Sequence, residues 1–351
     1  MDKRDGRVTM IGRESRIAVI GAGAIGGITA ALLGKGGYDC EVVCKHPDLA
    51  ERIKTDGLHV TGVRGDFRVT LPAFADIAQM EGPKDVVFLA TKATAMLEAA
   101  DRLKPLLNED SIVVSLQNGL CERALAGVLG PGRVIGCVVG WGATMHAPGE
   151  LEMASTGEFI IGNIEGKPDA RLAPLGEIMN AVLPTRLSEN IVSDLYSKLI
   201  VNACITSLGA VCGLNMGAML ASKKARNLFI TVMREAIAIA DGMNLRVPPY
   251  GGKLDYYAFL KGQGPLNDLR RHLVIRAIGF KYRRLKSSSL QSLERRQKTE
   301  IDYLNGYICS EGARLGIATP VNDRIVALIH EIEAGKRQIS VENFLDPGLD
   351  R

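Results

Sequence analysis

The 351 residues carry 43 Lys and Arg against 39 Asp and Glu, a formal net charge of +4, and 46% of them are hydrophobic. A chain of that length and apolarity can bury two ordinary cores, which excludes a disordered or fibrous protein. The seven cysteines are scattered, with no CxxC and no Cys/His cluster, so neither a disulfide framework nor a metal site is expected, and buried thiols fit a reducing, cytoplasmic setting.

The first fifteen residues, MDKRDGRVTMIGRES, are charged and lack the apolar stretch of a signal peptide; they read as a tail. From Arg16 onward β-branched runs alternate with helical segments: RIAVI, AIGGITAALLGKGG, CEVVC, DVVFLA, a helix from Ala95 to Leu107, then SIVVSL. This α/β order predicts a parallel sheet covered by helices on both faces. Two more strands follow, VIGCVVGW and GEFIIGN, with HAPGE as the turn between them. After Pro184 helical periodicity takes over, in Ile191–Cys212, Lys223–Gly242, Ser287–Leu315 and Asn322–Ala334. The boundary is set near Leu187, giving a nucleotide-binding domain over 16–187 and a helical catalytic domain over 188–345. The weakly charged stretch from Leu199 to Leu220 is interrupted by Asn202, Thr206, Ser207 and Asn215, and reads as a buried helix, not a bilayer span.

Gly21-Ala22-Gly23-Ala24-Ile25-Gly26 follows the first strand directly and opens an apolar helix. In that context GxGxxG is a dinucleotide fingerprint. Gly21 permits the tight turn, Gly23 lets a pyrophosphate approach the backbone, and Gly26 lets the helix pack close with its N–H groups aimed at the phosphates. NAD-binding versions end their second strand in an acid that holds the ribose 2′-hydroxyl. Here CEVVC runs into Lys45-His46. Glu41 lies at the wrong end of the strand and Asp48 follows Pro47, so a cation at Lys45 facing a 2′-phosphate favours NADP(H).

Lys92 follows DVVFLA and Gln117-Asn118-Gly119 follows SIVVSL, both at carboxyl ends of parallel strands, where open α/β sheets bind ligands. In SDLYSKLIVNACITSLGAVCG the spacing of Lys198, Asn202 and Thr206 lines three polar side chains along one stripe of an apolar helix, which suits a polar pocket. Ser287–Gly306 offers hydroxyls and then Glu300, which by spacing alone is a helix-surface residue paired with Arg296. The rival reading comes from the stretch between Lys253 and Lys298. It holds twelve Lys and Arg against Asp255, Asp268 and Glu294, a balance that could bind nucleic acid or another anionic surface. Charged stretches more often form solvated helix faces.

The motifs GAGAIG, the Lys45 position, TKA around Lys92, QNG at Asn118, GAT at Ala143, SKLIVNA at Lys198, TEIDYLNG at Glu300 and GIATPVND from Gly316 occur in this order. Together they resemble the ketopantoate reductase family, from Arg16 to about Ile329. The resemblance implies a Rossmann-type parallel sheet followed by an all-helical domain like the C-terminal one of 6-phosphogluconate dehydrogenase. It implies NADPH-dependent reduction of the C2 ketone of 2-oxopantoate to pantoate, a step of pantothenate and coenzyme A biosynthesis. Lys198 would be the general acid, and Glu300 would lie by cofactor and substrate. Asn118, Asn202 and Ser288 would orient substrate or nicotinamide, and Lys92 and Ala143 would join the glycine turn at the cofactor. Asn215 matches a later family asparagine across a gap.

Three departures bear on the substrate. Thr206 stands where a second asparagine is usual, SSSLQS carries Ser292 where an aspartate is common, and the chain is longer between Leu245 and Ser287. A different small 2-oxo acid therefore remains the alternative substrate. The expected partner is that small molecule, with no nucleic acid and no membrane, and a homodimer is left open.

Overall fold

The structure is a computed structural model that describes residues 11–350, so the first ten residues of the expected fifteen-residue tail lie outside the described residues, whereas Ile11 and Ser15 at its end are buried, Ile11 in the core of the first unit. The chain folds as two compact units. One holds residues up to Gln117 together with Cys121–Val192; the other holds Asn118–Leu120 and the chain from Ser193.

In the first unit the elements run β1 (Ile17–Ile20), α1 (Ala24–Lys35), β2 (Cys40–Val43), α2 (Pro47–Thr55), β3 (Leu58–Gly62), β4 (Phe67–Val69), β5 (Ala73–Phe74), β6 (Lys84–Leu89) and α3 (Met96–Leu103). They continue with β7 (Leu107–Ser115), α4 (Glu122–Leu129), β8 (Val134–Val139), β9 (Ala143–Ala147), β10 (Glu150–Met153), β11 (Phe159–Asn163), α5 (Leu172–Asn180) and β12 (Thr185–Leu187). The main sheet has the order β12-β11-β8-β7-β6-β1-β2-β5. β5, β2, β1, β6, β7 and β8 pair in parallel. Val19, Val86, Phe88, Val114 and Ile135 are fully buried, as the apolar runs of a parallel sheet covered on both faces require.

Two features differ from the sequence expectation. The main sheet is not purely parallel, because β11 returns antiparallel to β8. A second sheet, β4-β3-β10-β9, was not anticipated. HAPGE does not join the two strands expected on either side of it: its residues belong to β9, the following turn and the start of β10. β3 pairs in parallel with β10 some ninety residues further on, Leu58 to Gly62 lying within a sheet whose partner no local pattern could indicate.

The second unit is helical: α6 (Ile191–Cys212), α7 (Met216–Ala221), α8 (Lys223–Gly242), α9 (Tyr256–Leu260), α10 (Pro265–Lys281), α11 (Ser288–Glu294), α12 (Asn305–Leu315) and α13 (Pro320–Glu333). α6 is long and apolar enough to cross a membrane by length and composition, but its most apolar window is 78% buried inside the protein. Its Tyr196, Leu199, Ile200, Ala203, Cys204 and Leu208 lie in the core of the helical unit. The longer stretch after Leu245 folds as α9 and α10.

The single helix expected over Ser287–Leu315 is broken. α11 stops at Glu294, Arg296 adopts a left-handed backbone with φ of 53°, and helix resumes only at Asn305. Thr299 is held elsewhere: its backbone N–H and Oγ1 both donate to Glu333 Oε1 at the end of α13, at 2.7 and 2.8 Å. That tertiary anchor outcompetes the local helical preference. The i,i+4 spacing of Arg296 and Glu300 therefore has no helix through which to act.

Candidate active site

The glycine turn lies where β1 ends and the strand order reverses between β2 and β6, the position at which open α/β sheets take ligands. Gly21 has φ of 110°, and a Cβ on it would stand 2.8 Å from the carbonyl oxygen of Ala90. A Cβ on Gly26 would stand 2.0 Å from the Gly21 carbonyl oxygen and 2.7 Å from Ala90 Cβ. Gly23 is the opposite case: a Cβ there would meet nothing within 4 Å. Gly23 also caps α1, with no side-chain cap and no acidic residue in the first turn. Two glycines thus serve close packing, while the third leaves open space in front of an uncapped helix N-terminus. A dinucleotide pyrophosphate fits such a cradle, since backbone N–H groups and the helix dipole both favour an anion there. Ala22 is buried, and Ala24 and Ile25 open the helix.

Lys45 is exposed in the bend between β2 and α2, beside His46, the residue that caps α2. Glu41, near the start of β2, is taken by the buried Lys84, whose Nζ donates to it at 2.5 Å. Asp48 lies in the first turn of α2. The strand end therefore presents a cation and no carboxylate of its own. Lys92 is exposed and caps the 3-10 turn Ala93–Ala95 after β6. Ala143 is half-buried at the start of β9. Gln117 is buried, its Oε1 accepting from Ser115 Oγ at 2.8 Å and its amide donating to Thr91 Oγ1 at 3.4 Å, which fixes the end of the β7 turn.

In the helical unit the expected stripe exists. Lys198 and Asn202 are half-buried on successive turns of α6, and Thr206, one turn on, is buried at 7% exposure. The helix is held just before Lys198: Tyr196 OH donates to the Ala236 carbonyl at 2.7 Å, Ser197 Oγ donates to the Pro248 carbonyl at 2.9 Å, and Tyr256 OH donates to the Ser197 carbonyl. Such bonds anchor the turn of α6 that carries Lys198. Asn118 belongs to this unit, and its Oδ1 accepts from Asn202 Nδ2 at 3.5 Å. Gly119, with φ of 94°, sits so close to the Ile301–Tyr303 turn that a Cβ would lie 2.3 Å from the Tyr303 carbonyl oxygen. Glu300 caps that turn and is half-buried. The Asn118-Gly119 pair thus touches both the Lys198 helix and the segment bearing Glu300.

Ser288 is exposed in the first turn of α11; the adjacent Ser287 caps it, accepting from the Leu290 N–H at 3.2 Å. A Cβ on Gly209, one turn past Thr206, would fall 2.8 Å from Ser287 Oγ, so α11 begins against the far end of the stripe. Asn215 stands apart. It is exposed, and its Oδ1 accepts from the Ala218 N–H at 3.0 Å as the cap of α7.

Sequence reasoning passed over a buried amide chain behind the stripe. Asn305 Nδ2 donates to the Ala203 carbonyl of α6 at 3.4 Å and to Asn322 Oδ1 at 2.9 Å, and Asn322 Nδ2 donates to Glu235 Oε2 at 2.6 Å. Glu235 also accepts from the backbone N–H groups of Val321 and Asn322 at the start of α13. The signal was present, since Asn305 falls in TEIDYLNG and Asn322 in GIATPVND. The basic stretch is also partly structural. Arg271 is fully buried and donates to the carbonyls of Phe259, Leu260, Lys261 and Gly262, while Lys286 Nζ pairs with Glu294 at 2.6 Å. The Arg271 guanidinium is not available to a polyanion. Among the described residues, no group of three or more His, Cys, Asp and Glu could hold a metal ion.

A parallel α/β sheet with a dinucleotide cradle at its switch point, followed by a helical unit bearing a lysine among amides, defines an oxidoreductase that uses a nicotinamide cofactor. The family described as ketopantoate reductase PanE/ApbA matches residues 17–166, and its C-terminal counterpart matches 190–333. The chain is 30% identical over 340 residues to the 2-dehydropantoate 2-reductase of Mesorhizobium japonicum, covering 90% of this chain and 97% of that one. It is 27% identical to the 2-dehydropantoate 2-reductase of Pyrococcus abyssi, covering 91% and 98%. The crystal structure of a PanE/ApbA family ketopantoate reductase from Ralstonia eutropha JMP134 superposes with a TM-score of 0.78 at 29% identity, over 92% of this chain and 99% of that one. D-mandelate dehydrogenase, solved with NADH and anilino(oxo)acetate, shares the fold with a TM-score of 0.75 at 21% identity. The chain belongs to the ketopantoate reductase PanE/ApbA family.

Proposed function

We propose that this chain reduces 2-oxopantoate to pantoate with NADPH, with Lys198 as the general acid. The observation that carries the reading is the Lys198, Asn202 and Thr206 stripe on α6, with the Asn118 amide joined to Asn202. Gly23 and the first turn of α1 would hold the pyrophosphate, and Lys45, exposed at the strand end, would pair with the 2′-phosphate. Lys92 and Ala143 would bound the same cofactor. Bound there, NADPH supplies the hydride that adds to the C2 carbon of the ketone.

As that bond forms, negative charge grows on the ketone oxygen. A fixed ammonium and amide donors stabilise that state more than the neutral ketone. Lys198 Nζ donates its proton to the oxygen, leaving a neutral amine and the 2-hydroxy acid, and solvent reprotonates the amine. Asn118 and Asn202 orient the keto acid, Ser288 offers a hydroxyl to its carboxylate or hydroxyl group, and Glu300 orders the substrate and cofactor from its turn. Asn215 joins this set only if it can be released from capping α7. Thr206 is shorter than the asparagine usual there and has one donor, so a water must complete the pocket for 2-oxopantoate. The compartment that fits this chemistry is the cytoplasm.

A panel of 2-oxo acids with NADPH and with NADH tests the reading. 2-Oxopantoate with NADPH is expected to give the highest kcat/KM; a clear preference for another 2-oxo acid would shift the substrate to the alternative, and absence of NADPH oxidation with every acid would remove the reading.

A further inference from the structure

Several cations of the basic stretch between Lys253 and Lys298 are engaged within the protein. Arg271 is buried against carbonyls, Arg270 donates to the carbonyls of Ala258, Phe259 and Lys261, and Lys286 pairs with Glu294. Lys281, Arg283 and Arg284 differ. All three are exposed, and among the described residues none of them forms an ion pair with a carboxylate. Together with Tyr282 and Leu285 they line a concavity of about 230 Å³ at the end of α10.

The loop that forms the concavity is fixed from behind. Tyr282 N–H donates to the Ile278 carbonyl at 3.0 Å, and Leu285 N–H closes a turn onto the Tyr282 carbonyl at 2.9 Å. The Arg283 and Leu285 carbonyls accept from the N–H groups of Gly217 and Met216 in α7, at 3.3 and 2.9 Å. Gly217 lies so close that a Cβ on it would stand 2.7 Å from Arg283 Cβ and 2.8 Å from Arg283 Cα. The carbonyl oxygens of 282, 283 and 285 are thus taken up inside the protein, and the charge left at the concavity is positive. Two of the cations are restrained as well: Arg283 Cζ lies 5.2 Å from the centroid of the Phe280 ring, and Lys281 Nζ lies 5.1 Å from that of Tyr282.

Three like charges on one fixed loop repel each other. An anion that bridges them removes the repulsion and gains a charge-assisted bond from each, and the arginine forks match the oxygens of a phosphate. Pockets that enclose a whole drug-sized molecule start at about 300 Å³, so this smaller hollow suits one charged group of a ligand. A nucleic acid fits less well, because proteins that hold a duplex make about six to ten phosphate contacts spread along it. Here the cations converge on a single hollow, while Arg270 and Arg271 are turned to carbonyls. We propose that the Lys281–Leu285 concavity of the helical unit binds the phosphate or diphosphate group of a small phosphorylated ligand, as a second anion site beside the dinucleotide cradle of the first unit.

The probe is inorganic pyrophosphate, titrated calorimetrically into the full-length protein at about 50 mM salt, where surface charges are only partly screened. NADPH is kept saturating, so that the dinucleotide cradle is filled. One saturable site is expected. Lys281→Gln, Arg283→Gln and Arg284→Gln should each weaken it roughly tenfold, the scale of one charge-assisted hydrogen bond, with melting temperature and NADPH affinity unchanged. Lys253→Gln removes an exposed cation of the same stretch outside the concavity and should change the affinity less than about twofold. Absence of saturable binding by about 10 mM pyrophosphate, or unchanged affinity in all three concavity variants, would overturn the proposal. Equal weakening by Lys253→Gln would do the same, since net charge and not the concavity would then attract the anion. So would a DNA duplex or phosphatidylglycerol vesicles that bind through these three residues while pyrophosphate does not.

Discussion

Gly23 and Gly26 lie three residues apart in one motif, and the structure assigns them opposite sensitivities. Gly26→Ala drives a methyl to within 2.0 Å of a backbone carbonyl oxygen and 2.7 Å of Ala90 Cβ. Ordinary contact begins near 3.4 Å, and neither neighbour is the movable end of a long side chain, so α1 itself must shift away from the sheet. Overpacking of this kind costs about 3 kcal/mol, the upper end of the usual range. In a unit of this size that lowers the melting temperature by roughly 6 to 12 °C. Gly23→Ala meets nothing within 4 Å at an ordinary φ of −72°. Its only cost to folding is a poorer helix cap, about 1 kcal/mol or less. The new methyl occupies the space a pyrophosphate would need, and loss of one or two charge-assisted hydrogen bonds should weaken NADPH binding by roughly tenfold to a hundredfold. Differential scanning calorimetry and a fluorescence titration of NADPH separate the two effects. Wild-type NADPH affinity in Gly23→Ala would refute the cradle, and wild-type stability in Gly26→Ala would refute the close approach of α1.

Lys45→Ala should raise the NADPH Michaelis constant about tenfold, the scale of one charge-assisted bond, and barely alter NADH kinetics; equal losses with both cofactors would count against 2′-phosphate pairing. Lys198→Ala should lower kcat by roughly a hundredfold or more through loss of the acid and of the charge facing the oxyanion, with NADPH binding and melting temperature preserved. Retained turnover, or NADPH affinity lost in proportion, would make Lys198 a structural or cofactor residue. Asp346 accepts from Arg324 at 2.8 and 2.6 Å, which holds its carboxyl at about 2, well below the ordinary 3.8. The depressed value means that this contribution is complete above about pH 4 and fades as pH falls through about 2. Asp346→Asn should therefore cost about 2 kcal/mol in urea unfolding at neutral pH, and the gap to wild type should close on acidification; a gap that stays constant down to about pH 2 would show that packing, not charge, is lost.

What local chemistry dictates was legible in the chain alone. The strand, glycine turn and helix from Arg16 to Lys35 are specified by neighbours, because a tight turn and a buried strand leave their marks within twenty residues. The Lys198, Asn202 and Thr206 stripe was legible for the same reason: helical periodicity places them on one face wherever α6 is packed. Contacts between distant segments carried no such mark. Glu300 leaves the expected helix because Glu333 binds Thr299 from 34 residues away, and Gly119 is glycine because the Tyr303 carbonyl lies against it. The second sheet needed β3 to find β10, and Arg271 became a buried clamp for the carbonyls of 259–262 where charge alone suggested a surface. Periodicity reports which face of an element is apolar. Only tertiary packing decides what meets that face, because hydrogen bonds and burial across long separations depend on where the chain returns.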